Sequence, residues 1–324
     1  MSSPRIEVDL DKIRHNAREL VQRLGPRGIA VTGVTKAVCG HPEIAEAMLD
    51  GGVAGLADAR MENVERMRQA GIVSRIALLR PPMPGEADRV ERECSVSYNT
   101  ELDTIDALAR AARRMNAVHD VILMVEMGDM REGILPQDLA RTASAVIRMP
   151  GVSLKGIGAN FACFGGAAPD GANMNELAAL ADEVERACGR RVETVSGGNS
   201  ASLSWALGQT DVGRINDLRL GEAILLGVEP VSGRPIEGLF TDAFTVFAEV
   251  IESKTKPGAP ISPPTLPADA EFAGPEDRTP TWRSILAIGS QDTDLAGLRL
   301  PAGFGNLGGT SDQFVVETAD AALP

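Results

Sequence analysis

The chain of 324 residues carries 45 acidic against 32 basic side chains, giving a net charge of −13 and a pI near 4.8. With no long Lys/Arg run, that balance excludes a nucleic-acid backbone or an anionic membrane as partner. It is 44% hydrophobic and only 3% aromatic, and its four cysteines (Cys39, Cys94, Cys163, Cys188) form no C-x-x-C pair. This reads as a reduced, cytoplasmic globular protein with an aliphatic core, long enough for one large α/β domain and a smaller one.

In chain order, residues 5–10 alternate as a short strand and run into a helix. From residue 29 to about 227, short apolar runs alternate with amphipathic stretches. Strands are predicted at 29–34, 55–57, 75–79, 96–98, 121–125, 154–159, 193–195 and 217–220. Helices are predicted at 42–49, 61–70, 101–115, 136–149, 175–188 and 202–207. Pro42 and Pro136 suit first helical turns, and Gly51, Gly71 and Gly189 suit helix exits. Eight βα units predict a (β/α)₈ TIM barrel with chemistry at the strand C-terminal ends. A doubly wound sheet is the alternative, but no G-x-G-x-x-G turn follows the first strand. Past residue 227 the texture changes. Strands are expected at 240–251, 283–288 and 314–317, around a proline-rich, loop-like stretch at 256–280. The expected division is a barrel over 9–227 and a mainly β domain from 1–8 and 228–324.

The first strand ends at Lys36. A lysine closing a run that reads as buried suggests an amine prepared for nucleophilic work, although most such lysines snorkel or pair with a carboxylate. The other strand ends are also polar or glycine-rich. They read Glu126-Met-Gly-Asp-Met-Arg131-Glu-Gly133, Gly158-Ala-Asn160-Phe-Ala-Cys163, Ser196-Gly-Gly-Asn199-Ser200 and Arg219-Leu-Gly221-Glu222. Each alone has a structural reading, as a turn, a cap or a surface ion pair. Together they gather on one rim. The three histidines show no zinc-ligand spacing, so no metal is expected. No G-x-S-x-G is present.

These motifs, with Glu7-Val-Asp-Leu-Asp-Lys-Ile and Ile288-Gly-Ser-Gln-Asp-Thr-Asp, resemble the alanine racemase family of pyridoxal 5'-phosphate enzymes, and within it the ornithine racemase-like branch. The resemblance runs from Ile6 to about Asp312. It implies an amino-acid racemase that interconverts enantiomers by removing and returning the Cα proton. Ornithine or another basic amino acid is the expected substrate, with alanine as a further possibility. It implies a homodimer and pyridoxal phosphate carried on Lys36. Arg131 would lie near the cofactor ring oxygen and the substrate carboxylate, and Asn160 would stand where alanine racemases usually have a ring-side histidine. Ser196, Asn199, Ser200, Gly221 and Glu222 would lie about the cofactor, the last three at the phosphate. Arg219 would face the ring nitrogen. An arginine there keeps its proton, so the ring nitrogen stays unprotonated, which favours reprotonation over transamination.

The chain also departs from the family. Racemisation needs a proton carrier on each face of Cα. Lys36 supplies one, but no tyrosine follows Tyr98, so the family's usual partner is missing. Cys163, Asp292 and Asp312 are the candidates, and Asp292, Asp294 and Asp312 could alternatively meet a basic substrate side chain across a dimer interface. Gln313 stands where the branch pattern favours His. The chain stops at Pro324, before further glycine- and aromatic-rich strands expected from the resemblance. The competing reading is a non-catalytic pyridoxal-phosphate carrier, against which the long stretch after Gly227 counts.

Overall fold

The computed structural model describes residues 3–164, 168–256 and 280–318. In chain order the elements are β1 (Arg5–Val8), α1 (Leu10–Leu24), β2 (Ala30–Val34), α2 (Pro42–Asp50), β3 (Gly55–Asp58), α3 (Met61–Gln69), β4 (Ile76–Leu78), α4 (Ala87–Glu93), β5 (Val96–Asn99), α5 (Leu102–Arg114), β6 (His119–Val125), α6 (Pro136–Ile147), β7 (Val152–Ala159), α7 (Gly171–Cys188), β8 (Thr194–Ser196), α8 (Leu203–Ala206), β9 (Asp217–Leu220) and α9 (Glu222–Leu226). Then come β10 (Phe244–Phe247), β11 (Val250–Lys256), β12 (Thr281–Leu286), β13 (Phe304–Gly309) and β14 (Phe314–Thr318).

Strands β2 to β9 close into a parallel barrel, with β2 pairing β9 at Ala30↔Asp217 and Thr32↔Arg219. The (β/α)₈ barrel is therefore present, and its strand C-terminal ends share one rim. Inside it, Val34, Ala57, Ala77, Val96, Tyr98, Ile122 and Met124 form one apolar cluster. Helix α1 shows how the outer layer forms. Asp9 caps it by accepting from the amides of Asp11 and Lys12, and Ile13, Ala17, Leu20 and Leu24 bury one stripe. Asn16 lies on that stripe, fully buried. Its amide donates to Ile224 O and Phe240 O, and Phe240 N donates back to its Oδ1. Gly156 is required where β7 meets β8, because a Cβ there would lie 2.1 Å from Thr194 O.

Contacts divide the chain into Asp9–Ala243 and a second unit built from β1 and the described residues from Phe244 on. In the second unit β1 pairs antiparallel with β10, and the other sheet runs β11-β12-β14-β13. Ile288, Phe314 and Val316 form its core. The mainly β character expected after the barrel is what is found. The single strand expected at 240–251 is two, β10 and β11, broken at residues 248 and 249. Strand β13 goes unread in the sequence because Gly305, Gly308 and Gly309 remove the strand signal. The loop expected at 256–280 falls mostly outside the described residues, apart from its two ends. Among the described residues, no helix is long and apolar enough to cross a membrane, and no His/Cys/Asp/Glu group could hold a metal ion.

Candidate active site

A cavity of about 440 Å³ opens at the strand C-terminal ends of the barrel. Of the residues singled out in the sequence, Lys36, Arg131, Asn160, Cys163, Asn199, Ser200, Arg219, Gly221 and Glu222 all line it. Lys36 begins a single 3₁₀ turn directly after β2. That turn is held by Thr35, whose hydroxyl donates to Asp58 at 2.7 Å. It leaves through Cys39 and Gly40, both at positive φ. At Gly40 a Cβ would lie 2.7 Å from Asn63 O, so glycine is needed for both φ and space. Lys36 is not buried, despite what its place after an apolar run suggests: its side chain is exposed on the cavity wall. The run 29–34 is apolar because it is barrel wall, and Lys36 lies just past where the wall ends.

The cavity floor is a hydrogen-bonded chain between two arginines. Arg219 is 4% exposed. Its Nη2 donates to Asn160 Oδ1 at 2.7 Å and to Ala159 O at 2.8 Å, and its Nη1 donates to Ser196 Oγ at 2.5 Å. Its guanidinium carbon lies 5.0 Å from the centre of the Tyr98 ring, a cation–π contact. Asn160 Nδ2 donates to Glu132 Oε1 at 2.9 Å. Glu132 in turn grips Arg131 in a fork, taking Nη2 at 3.0 Å on Oε1 and Nε on Oε2. Ser196 was expected among the cofactor-binding residues, but it is fully buried beneath Arg219 and does not line the cavity.

Two loops bring Arg131 and Cys163 together. After β6, Glu126 gathers the amides of Gly128, Met130 and Arg131. From the same loop, the buried Asp129 accepts from the amides of Cys163 and Phe164, which follow β7, at 2.9 and 3.0 Å. The result places Arg131 Nη1 3.0 Å from Cys163 Sγ. Cys163 is exposed, so its thiol is open to the cavity that it lines.

On the remaining side, Asn199 caps the 3₁₀ turn Ser200–Ser202 by accepting from Ala201 N. Ser200 Oγ accepts from Ala223 N at 3.2 Å. Gly221 and Glu222 open the short α9, whose first-turn amides have no partner within the helix. Gly221 passes so close to β2 that a Cβ would lie 3.2 Å from Val34 Cβ and Val34 O. Partial desolvation pushes the Glu222 carboxyl up, the charge of Glu229 adds to this, and Lys36 opposes both. Asp292 belongs to the other unit, where its Oδ2 accepts from Gly289 N at 3.0 Å within a turn.

The sequence reading missed Glu132, Tyr98 and Asp217 as parts of this arrangement. Asp217 accepts from Thr32 Oγ1 at 2.7 Å and from Ser196 Oγ. A signal for it existed: Asp217 and Arg219 stand two apart on one strand and so point to the same face.

Fold and site together define a barrel enzyme with an amine, three arginines, a thiol and a hydroxyl-and-amide cradle gathered at one mouth. Residues 8–230 match the family model described as the alanine racemase N-terminal domain, and the chain belongs to the alanine racemase family. It is 35% identical over 321 residues to an ornithine racemase of Acetoanaerobium sticklandii, covering 98% of this chain and 90% of that protein. It is 34% identical over 322 residues to a lysine racemase of Thermotoga maritima, covering 99% and 90%. Its fold matches the crystal structure of an alanine racemase from Streptomyces lavendulae with a TM-score of 0.76 at 24% identity, covering 99% of this chain and 85% of that one.

Proposed function

We propose that this racemase uses pyridoxal phosphate and acts on a basic amino acid, ornithine or lysine. The observation that carries the reading is the convergence of Lys36, Arg131 and Arg219 on one cavity. The near-full-length likeness to an ornithine and a lysine racemase supports the choice of substrate.

The donor set suits the cofactor. Two phosphate-type donors are at hand, the Ser200 hydroxyl and the opening amides of α9. Arg219 spends three N–H bonds on Ala159, Asn160 and Ser196. Its remaining donors suit an unprotonated ring nitrogen. Lys36 supplies an amine for the aldehyde. When bound, the cofactor supplies the electron sink that makes Cα–H acidic. Lys36 Nζ then takes or returns the proton on one face of Cα. Arg131, fixed in the Glu132 fork, holds the substrate carboxylate. Asn160 keeps Arg219 and Glu132 aligned, and Asn199 shapes the turn that presents Ser200. On the other face we assign the proton to Cys163 Sγ, which lines the cavity beside the Arg131 guanidinium. Asp292 is the second candidate for that task. The homodimer is part of the same reading and is supported by the family alone.

The test has two arms. Adding pyridoxal phosphate should produce an absorption band that Lys36→Ala abolishes. L- and D-ornithine and lysine should then exchange the Cα proton for deuterium and interconvert. A band without exchange would mean a cofactor carrier, and exchange confined to alanine would remove the basic substrate. Cys163→Ala should keep the band and lower the racemisation rate by about 10²–10⁴-fold. An unchanged rate would move the second proton carrier away from Cys163 and put Asp292→Asn next.

A further inference from the structure

The barrel holds a second cavity of about 200 Å³ at the strand N-terminal ends, lined among others by Thr32, Arg75, Lys155, Asn216 and Asp217. Tyr98 lines both cavities. Arg219 faces the upper one, yet among the described residues no carboxylate lies within ion-pair distance of it. A buried cation with no counter-charge is costly. The nearest compensation in its hydrogen-bond network comes from below. Arg219 Nη1 donates to Ser196 Oγ, and Ser196 Oγ donates to Asp217 Oδ2, so one fully buried hydroxyl joins guanidinium to carboxylate. Thr32 Oγ1 fixes the other carboxylate oxygen at 2.7 Å. Asp217 is 8% exposed and belongs to the lower cavity. Its charge reaches upward: after burial, it is the next cause pushing the Tyr98 phenol up to about 12.

We propose that Asp217 is a positioning residue for the racemase. Through Ser196 it aims Arg219 and tempers the positive charge that Arg219 presents to the cofactor's ring nitrogen. This rests on the pyridoxal-phosphate reading above. A bare guanidinium would draw electrons from the ring, whereas a compensated one leaves the ring a weaker sink, which suits prompt return of the proton to Cα. Asp217 touches neither substrate nor cofactor in this account. It acts from the opposite end of the barrel.

The experiment follows the pH midpoint of the Lys36-dependent absorption band in wild type, Asp217→Asn, Ser196→Ala and the double variant. Removing the negative charge favours the deprotonated form of the bound nitrogen. Asp217→Asn should therefore lower the midpoint by roughly half a unit to one unit. Ser196→Ala should lower it by less, and the double variant should fall short of the sum of the two, because both changes cut one relay. An unmoved midpoint in Asp217→Asn, or full additivity, overturns the proposal. If Asp217→Asn does not fold, Ser196→Ala alone decides, and an unmoved midpoint there is equally fatal. A wild type with no Lys36-dependent band would sink the cofactor reading and this inference with it. A normal band with no shift sinks the inference only.

Discussion

Asn160 is the residue on which Arg131 and Arg219 both depend. Its oxygen takes Arg219 and its nitrogen gives to Glu132, which holds Arg131. No other orientation of the amide satisfies a cation on one side and a carboxylate on the other. Asn160→Ala should lower kcat/KM by roughly 10- to 100-fold, with KM rising as Arg131 loosens, while the melting temperature moves little. Steady-state kinetics on either enantiomer would show it, and an unchanged KM would detach Arg131 from this chain. Tyr98 gives a cleaner readout because it is the only tyrosine. Burial, and then Asp217, hold its pKa at about 12, above the ordinary value of 10.0. The raised pKa means its contribution to stability is full below pH 10 and is lost as pH rises toward 12. The phenolate absorbance of the native protein should stay silent until about pH 12, and titration near pH 10 would show that Tyr98 is not enclosed. Much of this site was legible in the residues. Lys36, Arg131, Ser200 and Arg219 stand at strand ends where barrel chemistry collects. Lys36 is exposed rather than buried because the apolar strand ends at Val34, two residues before the lysine. The meeting of Arg131 with Cys163 was not legible, since it depends on Asp129 and Glu126 folding two loops toward each other.

At the scale of elements, the barrel wall tolerates little change. Gly156 on β7 faces Thr194 on β8, with a Cβ position 2.1 Å from Thr194 O and 2.8 Å from its Cβ. Gly156→Ala should destabilise the barrel by about 1–3 kcal/mol and lower the melting temperature by several degrees, readable by calorimetry. A melt equal to wild type would mean that the strands part there at little cost. Long elements with a clear stripe, such as α5 with Ile105, Leu108, Ala109 and Ala112 all buried, were readable from spacing. Helix α4 was not, because its seven residues bury only Ala87 and Val90, too few to mark a period. Helix α9 was hidden for a related reason: at five residues it reads as the tail of β9.

The molecule as a whole is strongly anionic, yet its upper cavity sets Lys36, Arg80, Arg131 and Arg219 against only Glu132 and Glu222. On the proposed reading, the long-range field would draw a cationic amino acid in, and the local one would receive its carboxylate. Raising ionic strength from low to about 0.3 M should therefore lower kcat/KM for ornithine by roughly two- to fivefold through screening. Alanine, with no net charge, should respond less, and equal responses would remove the role assigned to the net charge. A mainly β part beyond the barrel was readable from the change in texture after Gly227, but the two units part between Ala243 and Phe244, later than the expected boundary at 227. The parting of β10 from β11 was not readable, because residues 248 and 249 carry no glycine or proline to mark a break. Tyr98, packed at the level where the upper and lower cavities meet, has a last effect on the hydrogen traffic of the barrel. On the proposed reading, a hydrogen lifted from the substrate would rest on Lys36 or Cys163, both exposed, above the buried Tyr98 ring, so its loss to the surrounding water would run through those two groups. In heavy water, the share of inverted product that keeps its original hydrogen would then act as a clock, comparing the speed of inversion with the exchange of those two groups with water.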